Sequence, residues 1–307
     1  MSDLIIIPFS LVLLYLGGEG TLRGVLAIAK RFKLSNILVS AVIIGFGTSL
    51  AELTVSIEAV LTGSPDIALG NIIGSNTANI LLVAALAALI NPITLTKLKI
   101  NRDIVVLILA STLLLFFKFI DWLNFYSGLF FILILLCYIF FSYFDDREKI
   151  SKEEDFNIQT ISIIKSLSYS ILGILILILG GWLLVNSSIR VAQSYGISEA
   201  VIGLTIVAVG TAIPELTTTI ISSIKKNNEL VIGNILGSNI FNILGILGIT
   251  LMIENIPVTD EMMKKGIWEM IAATIFFIII LKYAKALSKT IALFMLTLYA
   301  IYTFYLF

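Results

Sequence analysis

The chain has 307 residues, of which 59% are hydrophobic and 13% are charged, and its mean hydropathy is +1.07. Because soluble domains carry about 25% charged residues, this composition excludes a soluble globular enzyme, and it equally excludes a disordered chain. Twenty basic residues balance twenty acidic ones, histidine is absent and Cys137 is the single cysteine. We therefore expect no nucleic-acid partner, no cofactor and no zinc-type metal cluster.

Apolar segments long enough to cross a bilayer recur along the whole chain, and each such helix needs about 20 residues. In chain order they cover about 4–28, 36–61, 66–90, 103–120, 122–144, 161–189, 197–224, 229–253, 266–283 and 288–307. The start of the chain lacks the basic region of a cleaved signal peptide, so we expect the first span to be retained. The sequence thus predicts an all-α integral membrane protein with ten transmembrane helices.

The basic residues predict an orientation for these helices, because cytoplasmic loops are enriched in Lys and Arg. With ten spans, fourteen basic residues fall on one side of the membrane and four on the other. This distribution predicts a multi-pass protein of the cell membrane with both termini outside. The strongly polar stretch at 145–160 is then a cytoplasmic linker between a first half, 1–144, and a second half, 161–307.

The two halves repeat each other without a gap when residue 52 is set against residue 215, an offset of 163. Between Leu34/Ile197 and Leu82/Gly245, 17 of 49 aligned pairs are identical, and they include nearly all the polar ones. The repeated segments cover about 35–82 and 198–245. Since each half has five spans, an odd number, the second half enters from the opposite side. This predicts two inverted five-helix repeats, an arrangement that places transporter sites near the midplane.

Glu52 in the second span and Glu215 in the seventh are the most informative pair of aligned residues. A charge at the bilayer centre costs roughly 2.5–3.5 kcal/mol or more, and two adjacent carboxylates repel each other unless a cation lies between them. Neither has a basic neighbour in the sequence. A bound metal ion is therefore the expected counter-charge.

Oxygen donors accompany both glutamates. Helical spacing puts Thr48 and Ser56 on the face of Glu52, and Thr211 and Thr219 on that of Glu215. Pro214 frees a backbone carbonyl and predicts a broken helix, while Ala51 at the aligned position predicts a milder break. Further amides and hydroxyls in the third and eighth spans are Asn71, Ser75, Asn76, Asn79, Asn234, Ser238, Asn239 and Asn242. As an alternative to binding ions, such residues can do no more than form hydrogen bonds between helices. A set made only of oxygens selects hard cations, Ca²⁺ and Na⁺ before Mg²⁺.

At these residues the chain resembles the cation/Ca²⁺ antiporter superfamily, and the sodium/calcium exchangers of prokaryotes in particular. The resemblance lies in two copies of one motif. The copies read Gly47-Thr48-Ser49-Leu50-Ala51-Glu52 with Gly70-Asn71-Ile72-Ile73-Gly74-Ser75-Asn76, and Gly210-Thr211-Ala212-Ile213-Pro214-Glu215 with Gly233-Asn234-Ile235-Leu236-Gly237-Ser238-Asn239. The ten-span inverted plan is also similar to that of the family.

The resemblance implies a role for each matching residue. Glu52 and Glu215 would be the carboxylate ligands shared by Ca²⁺ and Na⁺. The other ligands would be the carbonyls and further oxygens of Thr48 and Thr211, the backbone carbonyls of Gly45 and Ala208, and the hydroxyls of Ser49, Ser75 and Ser238. Asn79 and Asn242 would line the central site. The chain departs from the family at Ala51, where proline is common, at Ala212, where serine is common, and at Asn242, where some relatives have aspartate.

The predicted function is therefore Na⁺/Ca²⁺ antiport by alternating access, carried out by a monomer in the lipid bilayer. The first and sixth spans, with Gly17-Gly18 and Gly180-Gly181, are expected to slide as gates. Proton/Ca²⁺ exchange on the same fold is the main alternative, although relatives of that kind often use histidine. A cation channel and an intramembrane hydrolase are further alternatives, which the non-identical halves and the missing histidine disfavour.

Overall fold

A computed structural model describes residues 3–31, 45–96, 98, 100–147 and 162–307, and nearly all of these residues are helical. The helices of the first half are α1 (Asp3–Arg31), α2 (Gly45–Thr48), α3 (Leu50–Leu61), α4 (Pro65–Ile90), α5 (Asn101–Phe119) and α6 (Phe125–Arg147). Those of the second half are α7 (Ile163–Tyr195), α8 (Glu199–Thr211), α9 (Ile213–Ile224), α10 (Asn228–Ile253), α11 (Asp260–Tyr283) and α12 (Lys289–Leu306). Residues 36–44 of the predicted second span and 148–160 of the predicted linker lie outside the described residues.

Several of these helices are long and apolar enough to cross a membrane. Within the described residues six pass by length and hydropathy, and the bent pair α8–α9 makes up to seven. The six are α4, α6, α7, α10, α11 and α12. The chain is thus a nearly all-helical, multi-pass membrane protein. Ten spans in two inverted repeats stay a prediction.

Helices α4 and α10 form the centre of the molecule. In their most apolar windows 83% and 89% of residues are buried, against 33% for α7. Such helices are apolar on every side because they pack against protein all round. Each contains a π-helical turn at the aligned place, Asn79–Val83 in α4 and Phe241–Leu247 in α10. Turns of this kind are frequent at functional sites, and here they contain Asn79 and Asn242.

The α1–α7 pair packs antiparallel through small residues. A Cβ added at Gly17 would meet the carbonyl oxygen of Gly173 at 2.8 Å, so the two backbones touch there. Gly180 packs in the same way against Leu13 and Leu14. The ion pair between Asp3 and Arg190, 2.7 Å, joins the ends of the two helices.

Gly18 and Gly181, the second glycine of each predicted pair, face α9 and α3 instead of the contact between α1 and α7. A Cβ at Gly18 would lie 3.8 Å from Pro214 in α9, and one at Gly181 would lie 3.1 Å from Thr54 in α3. The α1–α7 pair therefore lies directly on the two helices that carry the glutamates.

Two loops of opposite halves meet in a short ribbon. Strand β1 (Ile93–Thr94) pairs antiparallel with β2 (Ala286–Leu287), with Ile93 opposite Leu287. The boundary between the fourth and fifth spans is a turn at Asp121, which has a φ of 49°. Glu19 and Arg23, four residues apart in α1, form an ion pair.

Candidate functional site

The site is built on two helices that break at aligned residues. Ser49 separates α2 from α3 with φ −80° and ψ 9°, and Ala212 separates α8 from α9 with φ −78° and ψ 4°. The α8–α9 bend is 45°. The two break residues thus have the same conformation, and the milder break expected at the Ala51 side stays a prediction. Pro214 lies in the first turn of α9, where a missing N–H costs no helical hydrogen bond.

Each break places a glutamate in the first turn of the following helix, and the two carboxyl groups lie close enough to interact electrostatically. Glu52 is 0% exposed and Glu215 is 1% exposed. Within the described residues neither forms an ion pair with a lysine or arginine. Since an unpaired charge inside a membrane is costly, the pair requires a cation or protons.

The two carboxylates differ in their hydrogen bonds. Ser49 Oγ donates to Glu215 Oε1 at 2.9 Å. Among the described residues, both carboxylate oxygens of Glu52 lack a hydrogen-bond partner. The aligned residue that would serve Glu52 is Ala212, which has no hydroxyl. Glu52 therefore has both oxygens free for a cation, and Glu215 has one.

Several of the hydroxyl and carbonyl oxygens predicted as ligands lie on the segments next to the two breaks or contact one another. Thr48 and Thr211 end the segments before the two breaks, and Gly45 begins α2. The carbonyl of Ala208 accepts from Ser75 Oγ at 3.3 Å, and Ser75 lies 3.5 Å from Thr211 Oγ1. Ser238, aligned with Ser75, is 0% exposed, and its hydroxyl has no partner in the described part of the chain.

A cluster of four asparagines joins the two halves at the centre. Asn79 Nδ2 donates to Asn239 Oδ1 at 3.2 Å, and Asn242 Nδ2 donates to Asn76 Oδ1 at 2.9 Å. These two bonds are equivalent under the repeat. The side-chain oxygens of Asn79 and Asn242 are buried and have no partner among the described residues, so both remain available to a ligand.

Asn71 and Asn234 support the site although sequence reasoning assigned them no ligand role. Asn71 Nδ2 donates to the carbonyl of Glu52 at 3.1 Å and to Ser56 Oγ at 2.9 Å. Asn234 Nδ2 makes the equivalent bonds, to the carbonyl of Glu215 at 3.5 Å and to Thr219 Oγ1 at 2.9 Å. The sequence signal for this supporting role was that the same residue occurs at the aligned position of both repeats. The same signal was available for Asn76 and Asn239, to which sequence reasoning also assigned no role.

The donors brought together are oxygens only. Within the described residues no group of three or more His, Cys, Asp or Glu gathers to hold a metal. Two carboxylates, with hydroxyls, amide oxygens and main-chain carbonyls, suit hard cations. Zinc and copper sites rely on nitrogen and sulfur ligands, which this site lacks.

Comparisons with known proteins point to one family. Residues 2–144 and 165–307 match the family model described as sodium/calcium exchanger protein. An uncharacterised membrane protein of Methanocaldococcus jannaschii is 32% identical over 253 residues, which cover 82% of each chain. Sodium/calcium exchanger MaX1 of Methanosarcina acetivorans is 26% identical over 287 residues, covering 81% of this chain and 82% of that one.

A solved structure of the sodium-calcium exchanger NCX_Mj, soaked with Na⁺ and Sr²⁺, also matches. It covers 97% of this chain and 96% of its own, with 28% identity and a TM-score of 0.66. The family model covers nearly the whole described chain, including both broken helices. The chain belongs to the sodium/calcium exchanger protein family.

Proposed function

We propose that this protein exchanges Na⁺ for Ca²⁺ across the cell membrane by alternating access. The observation that carries the proposal is the buried pair Glu52 and Glu215, which has no cationic partner in the described residues and keeps three of its four carboxylate oxygens without a hydrogen-bond partner there. Two ionised carboxylates give the site a charge of −2, which one Ca²⁺ neutralises. The printed names of MaX1 and NCX_Mj support the choice of Na⁺ as the counter-ion.

Exchange of the two ions follows if Ca²⁺ and Na⁺ bind to the same ligands. Both glutamates lie on the two broken helices, so Ca²⁺ and Na⁺ compete for one set of carboxylate oxygens. A cation entering from one side releases the other only if the site opens to a single side at a time. Without a bound cation the two glutamates are unfavourable, because their charges are buried and repel each other. The change from one access state to the other is therefore favoured only when a cation is bound.

The α1–α7 pair is the proposed gate. It is held together at Gly17 and Gly173 and lies on Pro214 and Thr54 through Gly18 and Gly181. Small residues let two helices slide as one body over their neighbours. Movement of this pair would change access to the glutamates without disturbing the central asparagine cluster.

The architecture around this mechanism is part of the proposal. Ten spans in two inverted repeats, 1–144 and 161–307, would put both termini outside and the 145–160 linker in the cytoplasm. The site residues come from both halves of one chain, which supports function as a monomer. The ligand set is the one named above: Glu52, Glu215, Thr48, Thr211, Ser49, Asn79, Asn242, Ser75, Ser238, Gly45 and Ala208.

Uptake of ⁴⁵Ca²⁺ into proteoliposomes, with Na⁺, K⁺ and H⁺ gradients imposed one at a time, tests the proposal. We expect uptake when Na⁺ is inside and absent outside, and none from a pH gradient alone. Uptake driven by pH and indifferent to Na⁺ would replace the proposal with proton/Ca²⁺ exchange. Single-channel currents would replace it with a cation channel. If three Na⁺ move per Ca²⁺, one net charge crosses, worth about 2.3 kcal/mol at 100 mV, and uptake depends on membrane potential.

A further inference from the structure

A second polar cluster lies on helices other than the two broken ones. Its members are Glu269 on α11, Tyr302 on α12 and Thr77 on α4. Helix α11 begins at Asp260, so Glu269 lies about 14 Å along it, well inside the predicted bilayer. A carboxylate at this depth is costly unless something neutralises it.

The packing of α11 against α12 places Glu269 beside Tyr302. Lys265, near the start of α11, donates through Nζ to the carbonyl of Leu306, the last residue of α12, at 3.2 Å. The two helices are therefore antiparallel, and this bond fixes their register. One turn further along α11 is Glu269, and one turn back along α12 is Tyr302. The carboxyl group and the tyrosine hydroxyl are close enough to interact electrostatically.

The polar atoms of this cluster have few partners. Glu269 Oε2 is buried and Tyr302 is 7% exposed, yet neither that oxygen nor the tyrosine hydroxyl has a hydrogen-bond partner among the described residues. Thr77 is 0% exposed, lies near the tyrosine hydroxyl and donates to the carbonyl of Ile73 at 3.1 Å. Since buried polar atoms without partners cost free energy, the cluster can gain stability from a ligand.

Glu269 forms no ion pair with any lysine or arginine in the part of the chain that the structure describes. Lys265, one turn away, is bound instead to Glu261 Oε1, also at 3.2 Å. The other titratable groups nearby, on α11 and on the helices packed against it, are Lys264, Tyr299, Lys118, Asp121, Asp66 and Glu199. Lys118 is paired with Asp121, and Asp66 interacts with Glu199 and Glu261 rather than with Glu269.

A proton is the ligand that this cluster suits. Ca²⁺ takes about six to eight oxygen ligands, whereas the cluster offers one carboxylate and two hydroxyls. One proton neutralises one carboxylate. The carboxyl group can then donate to the hydroxyl oxygen of Tyr302, which can donate in turn to Thr77 Oγ1. Every polar atom of the cluster has a partner in that arrangement.

The cluster departs from the repeat, yet it contacts the asparagine cluster. At the offset of 163 the residues aligned with its members are all apolar: Val106, Ile139 and Ile240. The ion site, in contrast, recurs in both halves. Met270, the residue after Glu269, accepts from Asn76 Nδ2 at 3.6 Å. A change of charge at Glu269 therefore occurs one residue from a contact with the asparagine cluster.

We propose that Glu269, together with Tyr302 and Thr77, forms a proton-binding site in the membrane that is separate from the ion site and modulates exchange through Met270 and Asn76. Binding adds one proton to the Glu269 carboxylate, and deprotonation returns it to water. The modulation rests on the proposed function, whereas proton binding by Glu269 does not.

Labelling with dicyclohexylcarbodiimide, which reacts with protonated carboxyl groups in apolar surroundings, tests proton binding by the full chain in proteoliposomes. Peptide mass spectrometry locates the modified residues over a series of pH values, with and without Na⁺ and Ca²⁺. We expect modification of Glu269 that increases as the pH falls and is the same with and without either ion. Glu261, on the same helix and paired with Lys265, is the internal control and should stay unmodified.

Two results of this labelling would overturn the proposal. Absence of modification at every pH would show that Glu269 stays ionised, as a side chain that reaches the membrane surface would. Suppression of the modification by Na⁺ or Ca²⁺ would show that Glu269 belongs to a cation site.

Tyr302→Phe tests the hydroxyl, and Tyr299→Phe, one turn away, is the matched control. A hydroxyl donates more strongly to a carboxylate than to a neutral carboxyl group, so its removal should favour the protonated form. The pH of half-maximal labelling should rise by about half a unit to one unit in Tyr302→Phe and stay unchanged in Tyr299→Phe. An unchanged midpoint in Tyr302→Phe would remove the tyrosine from the site.

Transport measurements test the modulation. Na⁺-driven ⁴⁵Ca²⁺ uptake by Glu269→Gln, whose side chain is always neutral, is compared with that of the wild type over a range of pH. The two rates should converge at low pH, where both side chains are neutral, and differ by about twofold or more at high pH. A ratio that does not change with pH contradicts the modulation. Absence of Na⁺-driven uptake in the wild type would refute the proposed function and leave the labelling result standing.

Discussion

The asparagine cluster and the two glutamates differ in how closely they follow the repeat. The Asn79–Asn239 and Asn242–Asn76 amide bonds are equivalent and both present. Asn76 Nδ2 also donates to the carbonyl of Asn239 at 3.4 Å, while Asn239 Nδ2 has no partner among the described residues. At the glutamates, Ser49 donates to Glu215, whereas Glu52 has no hydrogen-bond partner in the part of the chain that the structure describes. The larger departure from the repeat therefore lies at the carboxylates, which are the groups proposed to bind ions.

The largest expected effect tests whether both carboxylates are needed. Glu52→Gln and Glu215→Gln should each reduce Na⁺-driven ⁴⁵Ca²⁺ uptake by about 100-fold or more, since each removes one of the two negative charges that balance Ca²⁺ in a site of low dielectric. Glu58→Gln, at the partly exposed end of α3, is the matched control and should transport within about twofold of wild type. Substantial transport by either buried variant would remove that residue from the site.

The next effect tests the asymmetry at the break residues. Ser49→Ala removes the donor to Glu215 Oε1, and a hydrogen bond to a charged group contributes about 1.5–3 kcal/mol, so the apparent Na⁺ affinity should fall by roughly tenfold or more. Ala212→Ser offers Glu52 the donor that it lacks and should move the Na⁺ dependence the other way. Equal and parallel responses of the two variants would show that the carboxylates are equivalent.

A third comparison concerns glycines in the packing contact between α1 and α7. Gly17→Ala places a Cβ 2.8 Å from backbone of α7, and Gly180→Ala places one 3.1 Å from side-chain and backbone atoms of α1. Overpacking of this kind costs about 1–3 kcal/mol, so thermal stability in detergent should fall, more for Gly17→Ala. Gly18→Ala, whose Cβ would lie 3.8 Å from Pro214, is the control and should keep wild-type stability. An equally large loss of thermal stability in Gly18→Ala would show that the contact between α1 and α7 is not especially tight.

The smallest expected difference lies within the asparagine cluster. Asn76→Ala and Asn239→Ala each remove one side of an equivalent amide bond, and each leaves one buried amide partner unsatisfied at a cost of about 1–3 kcal/mol. Asn76→Ala also removes the bond from its Nδ2 to the carbonyl of Asn239, 3.4 Å long, so its melting temperature should fall somewhat more. Equal losses in the two variants would show that this additional bond contributes nothing to stability.

Much of the site could be predicted from the sequence because its polar residues recur at one offset. Glu52 and Glu215, the helix breaks and the oxygen donors of α4 and α10 all follow from that recurrence and from the cost of charge in a membrane. The difference between Ser49 and Ala212 was also visible, since it is a difference in residue type. The structure adds that Ser49 serves the glutamate of the other half.

The unequal hydrogen bonds of the aligned asparagines could not be predicted in this way. Asn76 and Asn239 are the same residue in the same local sequence, so no pattern distinguishes them. Within the described residues the Nδ2 group of Asn76 has a partner and that of Asn239 has none, and this difference arises only from the three-dimensional packing.

The ribbon between β1 and β2 has a consequence for how the chain is held together. It joins a loop of the first half to a loop of the second, and Ser223 in α9 donates to the carbonyl of Ala87 in α4 at 2.6 Å. Together with the asparagine cluster, these bonds tie the halves at the centre and at one end of the bundle. These contacts hold the two predicted halves together in addition to the covalent chain.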